Sequence, residues 1–176
     1  MSQRCSGYDR IEDDRYVTPE WVTLALLPHL PRKPSRILEP AAGDGAMAKV
    51  LRTVADVVEV DVANGGPDFL TAKAAAHGCD AIITNPPYKL ATEFIDRAVV
   101  ATEPCHGMVA MLLRTDFDHA KSRRYLFADC EAFAKKVVLT QRIRWFAQST
   151  GSPSFNHAWL IWDWQHKGPP TIGYAP

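Results

Sequence analysis

No apolar run in this sequence approaches the roughly 18 to 20 residues that a membrane-spanning helix needs. The opening residues, Met1-Ser2-Gln3-Arg4-Cys5-Ser6, lack the apolar stretch of a secretory signal. A cytoplasmic protein with no membrane partner is expected. The four cysteines, Cys5, Cys79, Cys105 and Cys130, are scattered, with no C-x-x-C and no nearby paired histidine. That spacing offers neither a disulfide framework nor a structural zinc site, and no metal is expected. Internal repeats are absent, as is any interior linker that would divide the chain. Its 176 residues suit a single domain with a two-faced core. Residues 1–14 are read as an N-terminal tail, and the Pro/Gly-rich residues 167–176 as an extended or loose C-terminal tail.

Net charge is also lacking: the formal total is zero. The distribution is uneven, however. Residues 121–146 hold seven basic residues (Lys121, Arg123, Arg124, Lys135, Lys136, Arg142 and Arg144) against Asp129 and Glu131. A local basic segment in a neutral chain is a signal for phosphate contacts, although a solvated helix and strand edge would look the same.

Apolar segments of strand and helix length alternate along the chain. Thr18-Pro19-Glu20-Trp21 has the form of a helix start, with Thr18 as N-cap and Pro19 in the first turn. Strands are expected at 36–40, 57–62, 81–84 and 108–113, and helices at 46–55, 71–77, 91–102 and 118–130. Two further strands, about 137–146 and 158–164, flank a loop rich in Ser, Gly and Pro. This order predicts an α/β fold, a mostly parallel sheet with an antiparallel edge strand pair.

The most informative residues are Asn85-Pro86-Pro87-Tyr88, directly after the apolar run Ala81-Ile82-Ile83-Thr84. Ligands of open α/β sheets bind at the carboxyl ends of the strands. An amide, a proline carbonyl and an aromatic ring at such an end suit a planar amine. The Asn85 oxygen and the Pro86 carbonyl would accept its two hydrogens, and Tyr88 would stack on the ring. Drawing on those hydrogens localises a lone pair otherwise conjugated into the ring, and aims the nitrogen at an electrophilic methyl group. The plainer alternative is a proline turn.

A second cluster follows the first strand, at Glu39-Pro40-Ala41-Ala42-Gly43-Asp44-Gly45. Glycines there let the backbone approach a ligand closely, but the run lacks the third glycine of a full dinucleotide fingerprint. Glu39 discriminates among ligands, since an acid opposes a pyrophosphate but can pair with an ammonium or sulfonium. Asp61 can accept from ribose hydroxyls, and Asp68-Phe69 can meet an adenine. Taken singly, these acids are more often caps or turn residues.

Together with Tyr16-Val17-Thr18-Pro19-Glu20-Trp21, these motifs resemble the S-adenosylmethionine-dependent methyltransferases of the Asn-Pro-Pro-Tyr class, most of all the adenine-N6 DNA methyltransferases. The resemblance spans about residues 15–115 firmly and the last strands loosely. It implies a Rossmann-like fold with a seven-stranded sheet and S-adenosylmethionine as cofactor. It further implies methyl transfer to the N6 amine of adenine in DNA. Catalysis would fall to Asn85, Pro86, Pro87 and Tyr88. Cofactor contacts would come from Tyr16, Thr18, Glu39, Ala41, Gly43, Asp44, Gly45, Asp61, Asp68, Phe69 and Asn85, with Tyr16 and Thr18 on the methionine part. Nucleic-acid contacts would fall to Lys121, Arg123, Arg124, Arg142, Arg144 and Trp145, with Trp145 or Phe146 covering the base opposite Tyr88. RNA bases and protein glutamine amides are alternative acceptors, because both present a planar conjugated nitrogen. Enzymes of the DNA class usually carry a sizeable target-recognition region. None is evident here, so sequence readout is expected to rest on the loop 147–156, on a partner, or on little preference.

Overall fold

The computed structural model describes residues 17–72, 77–145 and 155–176. Seven strands form one sheet: β1 (Arg36–Glu39), β2 (Asp56–Glu59), β3 (Ala81–Thr84), β4 (Met108–Arg114), β5 (Phe133–Leu139), β6 (His157–Asp163) and β7 (Thr171–Ala175). Their order is β2-β1-β3-β4-β6-β5-β7. The first four are mutually parallel. β6 runs antiparallel to both β4 and β5. β7 closes the edge parallel to β5. The expected seven-stranded α/β sheet with an antiparallel portion is present.

Strand side chains alternate between two apolar layers, and helices cover both. On one face Leu38, Ile82, Val109, Met111, Leu113, Leu160 and Trp162 pack under helix α3 (Ala91–Thr102) through Phe94, Ile95, Ala98 and Val99. On the other, Ile37, Ile83, Ala110, Leu112, Trp159 and Ile161 pack under α1 (Glu20–Leu26) and α2 (Ala46–Leu51). Every residue of β6 is buried. Its indoles anchor both layers: Trp159 Nε1 donates to the Val22 carbonyl at 2.9 Å and Trp162 Nε1 to that of Leu126 at 2.7 Å. A continuous apolar run buried on both sides is what holds the sheet centre in register.

Several boundaries differ from the sequence reading. Thr18 does not cap α1; the N-cap position is Pro19 and no side chain bonds the first turn. The helix after β1 ends at Leu51 and not at residue 55. Residues 118–130 form no α-helix but short 3₁₀ turns at Phe117–His119 and Lys121–Leu126. Leu126 and Phe127 both enter the core, and Phe127, at φ −125° and ψ −84°, leaves helical dihedrals and ends the last turn. The strand expected at 137–146 lies at 133–139. β2 stops at Glu59, and Asp61 instead caps a 3₁₀ turn, accepting from the Ala63 N–H. The C-terminal residues expected to be extended or loose supply a strand. Gly173 permits it, because a Cβ there would lie 3.0 Å from the His29 ring. The helix expected at 71–77 falls mainly on residues 73–76, outside the described residues.

Candidate active site

The carboxyl ends of β1, β3 and β4 open on one edge of the sheet, and the antiparallel β6 brings its first residue, His157, to the same edge. Strand parity carries Asn85 from β3 toward the face covered by α1. There its Nδ2 donates to Thr18 Oγ1 at 3.2 Å. Its Oδ1 is buried and has no hydrogen-bond partner among the described residues. An amide anchored on its nitrogen and bare on its oxygen is an acceptor site in want of a donor. Of the two proline carbonyls, that of Pro87 already accepts from the Leu90 N–H at 2.9 Å. No backbone donor of the described residues is recorded on the Pro86 carbonyl.

Tyr88 is half-buried beside Asn85. Its ring stacks on His157, with centroids 6.1 Å apart and planes 25° apart. Trp145 meets the same imidazole edge-on at 5.3 Å and 82°. His157 was missed by the sequence reading. It is 2% exposed, and its Nδ1 is buried without a hydrogen-bond partner. Burial, helped by the nearby Arg114 guanidinium, pushes its pKa down to about 4, so it is neutral at physiological pH. A histidine beginning a buried strand was the available signal.

The glycine turn sits across the edge. Gly43 and Gly45 adopt φ of +56° and +81°, the left-handed region that glycine occupies without strain. The Gly43 peptide is tied on both sides: its N–H donates to Asp61 Oδ2 at 2.7 Å and its carbonyl accepts from Asn64 Nδ2 at 2.7 Å. A Cβ on Gly43 would meet no protein atom within 4 Å, so the turn borders open space. Asp44 accepts from the Ala46 N–H at 3.1 Å. Ala41 is half-buried against the α3-side core.

Glu39, 2% exposed, faces this turn with Oε2 lacking a partner. Burial first, then the nearby Glu59 and Asp44 carboxylates, push its pKa up to about 9. Glu59 pairs in register with Glu39 across β1 and β2 and is ion-paired to Arg52. Two acids, Glu59 and Asp44, beside one buried carboxyl suit a cationic ligand, and a sulfonium or ammonium fits that charge pattern. Asp68 bonds the Leu70 N–H at 2.9 Å and the Thr71 hydroxyl at 3.3 Å. Phe69, 4% exposed, packs on Phe94 at 5.2 Å. Its ring belongs to the α3-side core.

The basic segment is split by the fold. Lys136 turns inward to Asp118 and the Thr115 carbonyl, both at 2.7 Å, and Lys135 donates to His29. Arg124 pairs with Asp129 at 2.9 Å. Arg123 donates to the Phe117 carbonyl and lies 4.1 Å above that ring. Lys121 is exposed. Arg142 donates to Asn156 Oδ1 at 2.9 Å, and Arg144 is exposed. Trp145 packs against the α1-side core, just beyond β5 rather than within a strand. Arg114, not anticipated, ends β4 in register with His157, its guanidinium 4.3 Å above the Phe155 ring. Tyr16, Phe146 and most of the loop 147–156 lie outside the described residues. Among the described residues no cluster of His, Cys, Asp and Glu is arranged to hold a metal, and no helix is long and apolar enough to cross a membrane.

No family model and no curated protein matches the sequence. Solved structures do match. A putative class I S-adenosylmethionine-dependent methyltransferase from Listeria monocytogenes superposes with a TM-score of 0.62 at 16% identity, over 90% of this chain and 65% of the other. The type I restriction-modification methyltransferase subunit from Streptococcus thermophilus gives 0.63 at 12% identity, over 90% and 47%. A putative RNA methyltransferase from Pyrococcus horikoshii gives 0.59 at 15% identity, over 91% and 93%. The chain thus spans about half to two thirds of the length of the first two and nearly all of the third. The sheet order, the glycine turn after β1 and these superpositions together establish the Rossmann-like fold of the S-adenosylmethionine-dependent methyltransferases.

Proposed function

We propose that this chain is a methyltransferase that transfers the S-adenosylmethionine methyl group to the exocyclic N6 amine of adenine in DNA. The observation that carries the reading is Asn85, whose buried Oδ1 lacks a partner at the end of β3 while its nitrogen is held by Thr18. Oδ1 and the Pro86 carbonyl accept the two amine hydrogens. The nitrogen lone pair, no longer shared with the ring, lies in line for attack. Tyr88 covers one face of the base, and its own orientation is set by His157 beneath it. When bound, the cofactor would supply an electrophilic methyl; as the N–C bond forms the S–C bond breaks, leaving neutral S-adenosylhomocysteine, and the methylated amine loses its extra proton to solvent. The protein's part is orientation and electrostatic stabilisation of charge developing on nitrogen.

The Gly43-Asp44-Gly45 turn would hold the cofactor. Asp44, and Glu39 once the cofactor's charge draws off its proton, would face the positive charge; Thr18, Ala41 and Asn85 would border the methionine end, and Asp68 would meet the adenine amine. Glu59 is the better ribose acceptor than Asp61. It ends β2 opposite Glu39, whereas Asp61 already spends its oxygens on the Gly43 and Ala63 amides. A duplex base must leave its stack to reach Asn85. Lys121, Arg123, Arg124, Arg142 and Arg144, with Arg114, are the candidates for phosphate contacts, and Trp145 for the pocket wall. The DNA assignment is supported by the similarity to a type I modification subunit. An RNA base is the second reading, favoured by the span of the Pyrococcus horikoshii protein, nearly all of which this chain matches.

Labelled methyl transfer to duplex DNA, single-stranded DNA, RNA and protein, followed by nucleoside analysis, tests the assignment. N6-methyladenine from DNA supports it. Label confined to RNA or to glutamine replaces it with the corresponding alternative.

A further inference from the structure

A threonine followed by proline at a helix start ordinarily caps the helix, its hydroxyl accepting from the first-turn amides. Thr18 does not: no side chain caps α1. It is 6% exposed, so its hydroxyl is desolvated, and that hydroxyl is spent on Asn85 Nδ2, 67 residues away in sequence. Burying a hydroxyl away from its local backbone partner is costly unless the distant bond repays it.

We infer that Thr18 is a positioning residue for Asn85, anchoring one end of its amide so that the oxygen faces the acceptor amine. The inference rests on the proposed methyl transfer. A side-chain amide has two orientations of nearly equal shape, related by exchange of oxygen and nitrogen. A hydroxyl can bond either end, so Thr18 supplies the anchor and burial supplies the choice. With Nδ2 on Thr18, the buried outer position holds a single acceptor. In the flipped orientation it would hold an N–H₂ with two donors and no acceptor, which is worse, because orphaned N–H groups are tolerated less than under-used oxygens. The flipped amide would also oppose its hydrogens to those of the target amine. Removing the hydroxyl frees the amide to rotate and lets both forms be populated, while leaving the pocket's volume intact.

The test compares Thr18→Val, which deletes the oxygen at nearly constant volume, with Thr18→Ser, which keeps it. Turnover is measured at saturating cofactor and acceptor, cofactor affinity by calorimetry. Thr18→Val should lower kcat by about tenfold or more, a larger change than in cofactor Kd, and Thr18→Ser should stay within about threefold of the original protein. In an Asn85→Ala background, Thr18→Val should add nothing, as expected of residues acting as one unit. Nitrogen-15 NMR of the Asn85 side-chain amide gives a readout free of activity: its protons should exchange with solvent faster in the folded Thr18→Val protein. An unaltered exchange rate, or a variant that loses cofactor affinity and keeps kcat, overturns the inference and leaves Thr18 a cofactor contact only. If the unmodified protein methylates no acceptor, the proposed function falls, and the NMR comparison still decides the role of Thr18.

Discussion

Glu39 and Asn85 are both unfinished in the same sense: each buries an oxygen without a partner. For Asn85 the missing partner is a donor, so truncation should damage turnover and spare the rest. Asn85→Ala is expected to reduce kcat by about 2 to 4 kcal/mol in activation free energy, the range for loss of one preorganised polar group. Cofactor affinity should change little, and single-turnover kinetics with parallel calorimetry would separate the two. A second residue-scale comparison concerns the acids of β2. Glu59→Gln should weaken cofactor binding in a protein of unchanged stability. Asp61→Asn should chiefly loosen the turn that holds Gly43, seen as a lower unfolding midpoint. Reversal of that pattern would return the ribose to Asp61.

At the scale of elements, the short strands β1, β2 and β3 have four residues each and are stabilised by what covers them. Gly107, just before β4, shows how little slack the layering leaves. A Cβ there would lie 2.7 Å from the Asp80 carbonyl oxygen and 3.1 Å from both Cys105 Sγ and Thr102 Cβ. Gly107→Ala should therefore destabilise the fold by about 1 to 3 kcal/mol, the usual cost of overpacking, because a backbone oxygen cannot move aside as a side chain can. Equilibrium denaturation measures it; an unchanged midpoint would mean that the β3–β4 connection yields more easily than its packing implies.

For the whole molecule, two buried titratable groups set opposite slopes of stability with pH. His157 has a folded pKa of about 4, below its usual 6.5, so the unfolded chain binds the extra proton between those values and stability is lost as pH falls through them, by about 3 kcal/mol in full. Glu39 is the reverse. Its folded pKa of about 9 exceeds the usual 4.5, so the folded state keeps a proton that the unfolded chain releases, and stability declines as pH rises from 4.5 toward 9. Between about pH 4.5 and 6.5 the slopes oppose one another; from 6.5 to about 9 the Glu39 slope remains. In the cofactor-free protein, Glu39→Gln should abolish the decline between pH 6.5 and about 9, monitored by urea denaturation across a pH series. A retained decline would assign it elsewhere. Nucleic-acid binding should also respond at this scale. Neutralising Arg142 and Arg144 together is expected to flatten the slope of log affinity against log salt by about two.

The order of the first six strands, the α/β class and the placing of Asn85 after an apolar strand were legible in the residues, because alternation of apolar segments and the punctuation of Gly and Pro are local signals; the seventh strand was implied only by the family resemblance, and its residues were read as a tail. The α3 boundaries, Ala91–Thr102, were readable for that reason. What the chain does with its polar groups was not local. Only the tertiary structure turned the Thr18 hydroxyl from a helix cap to Asn85, drew Lys135 and Lys136 inward, committed Phe69 to the core, and set Glu59 opposite Glu39. It also brought His157 under Tyr88 through an antiparallel strand 69 positions later. Each of those outcomes depends on which partner lies within about 3 to 6 Å after the sheet has assembled, and hydrogen bonds and ring contacts are decided at that range, not by spacing along the chain.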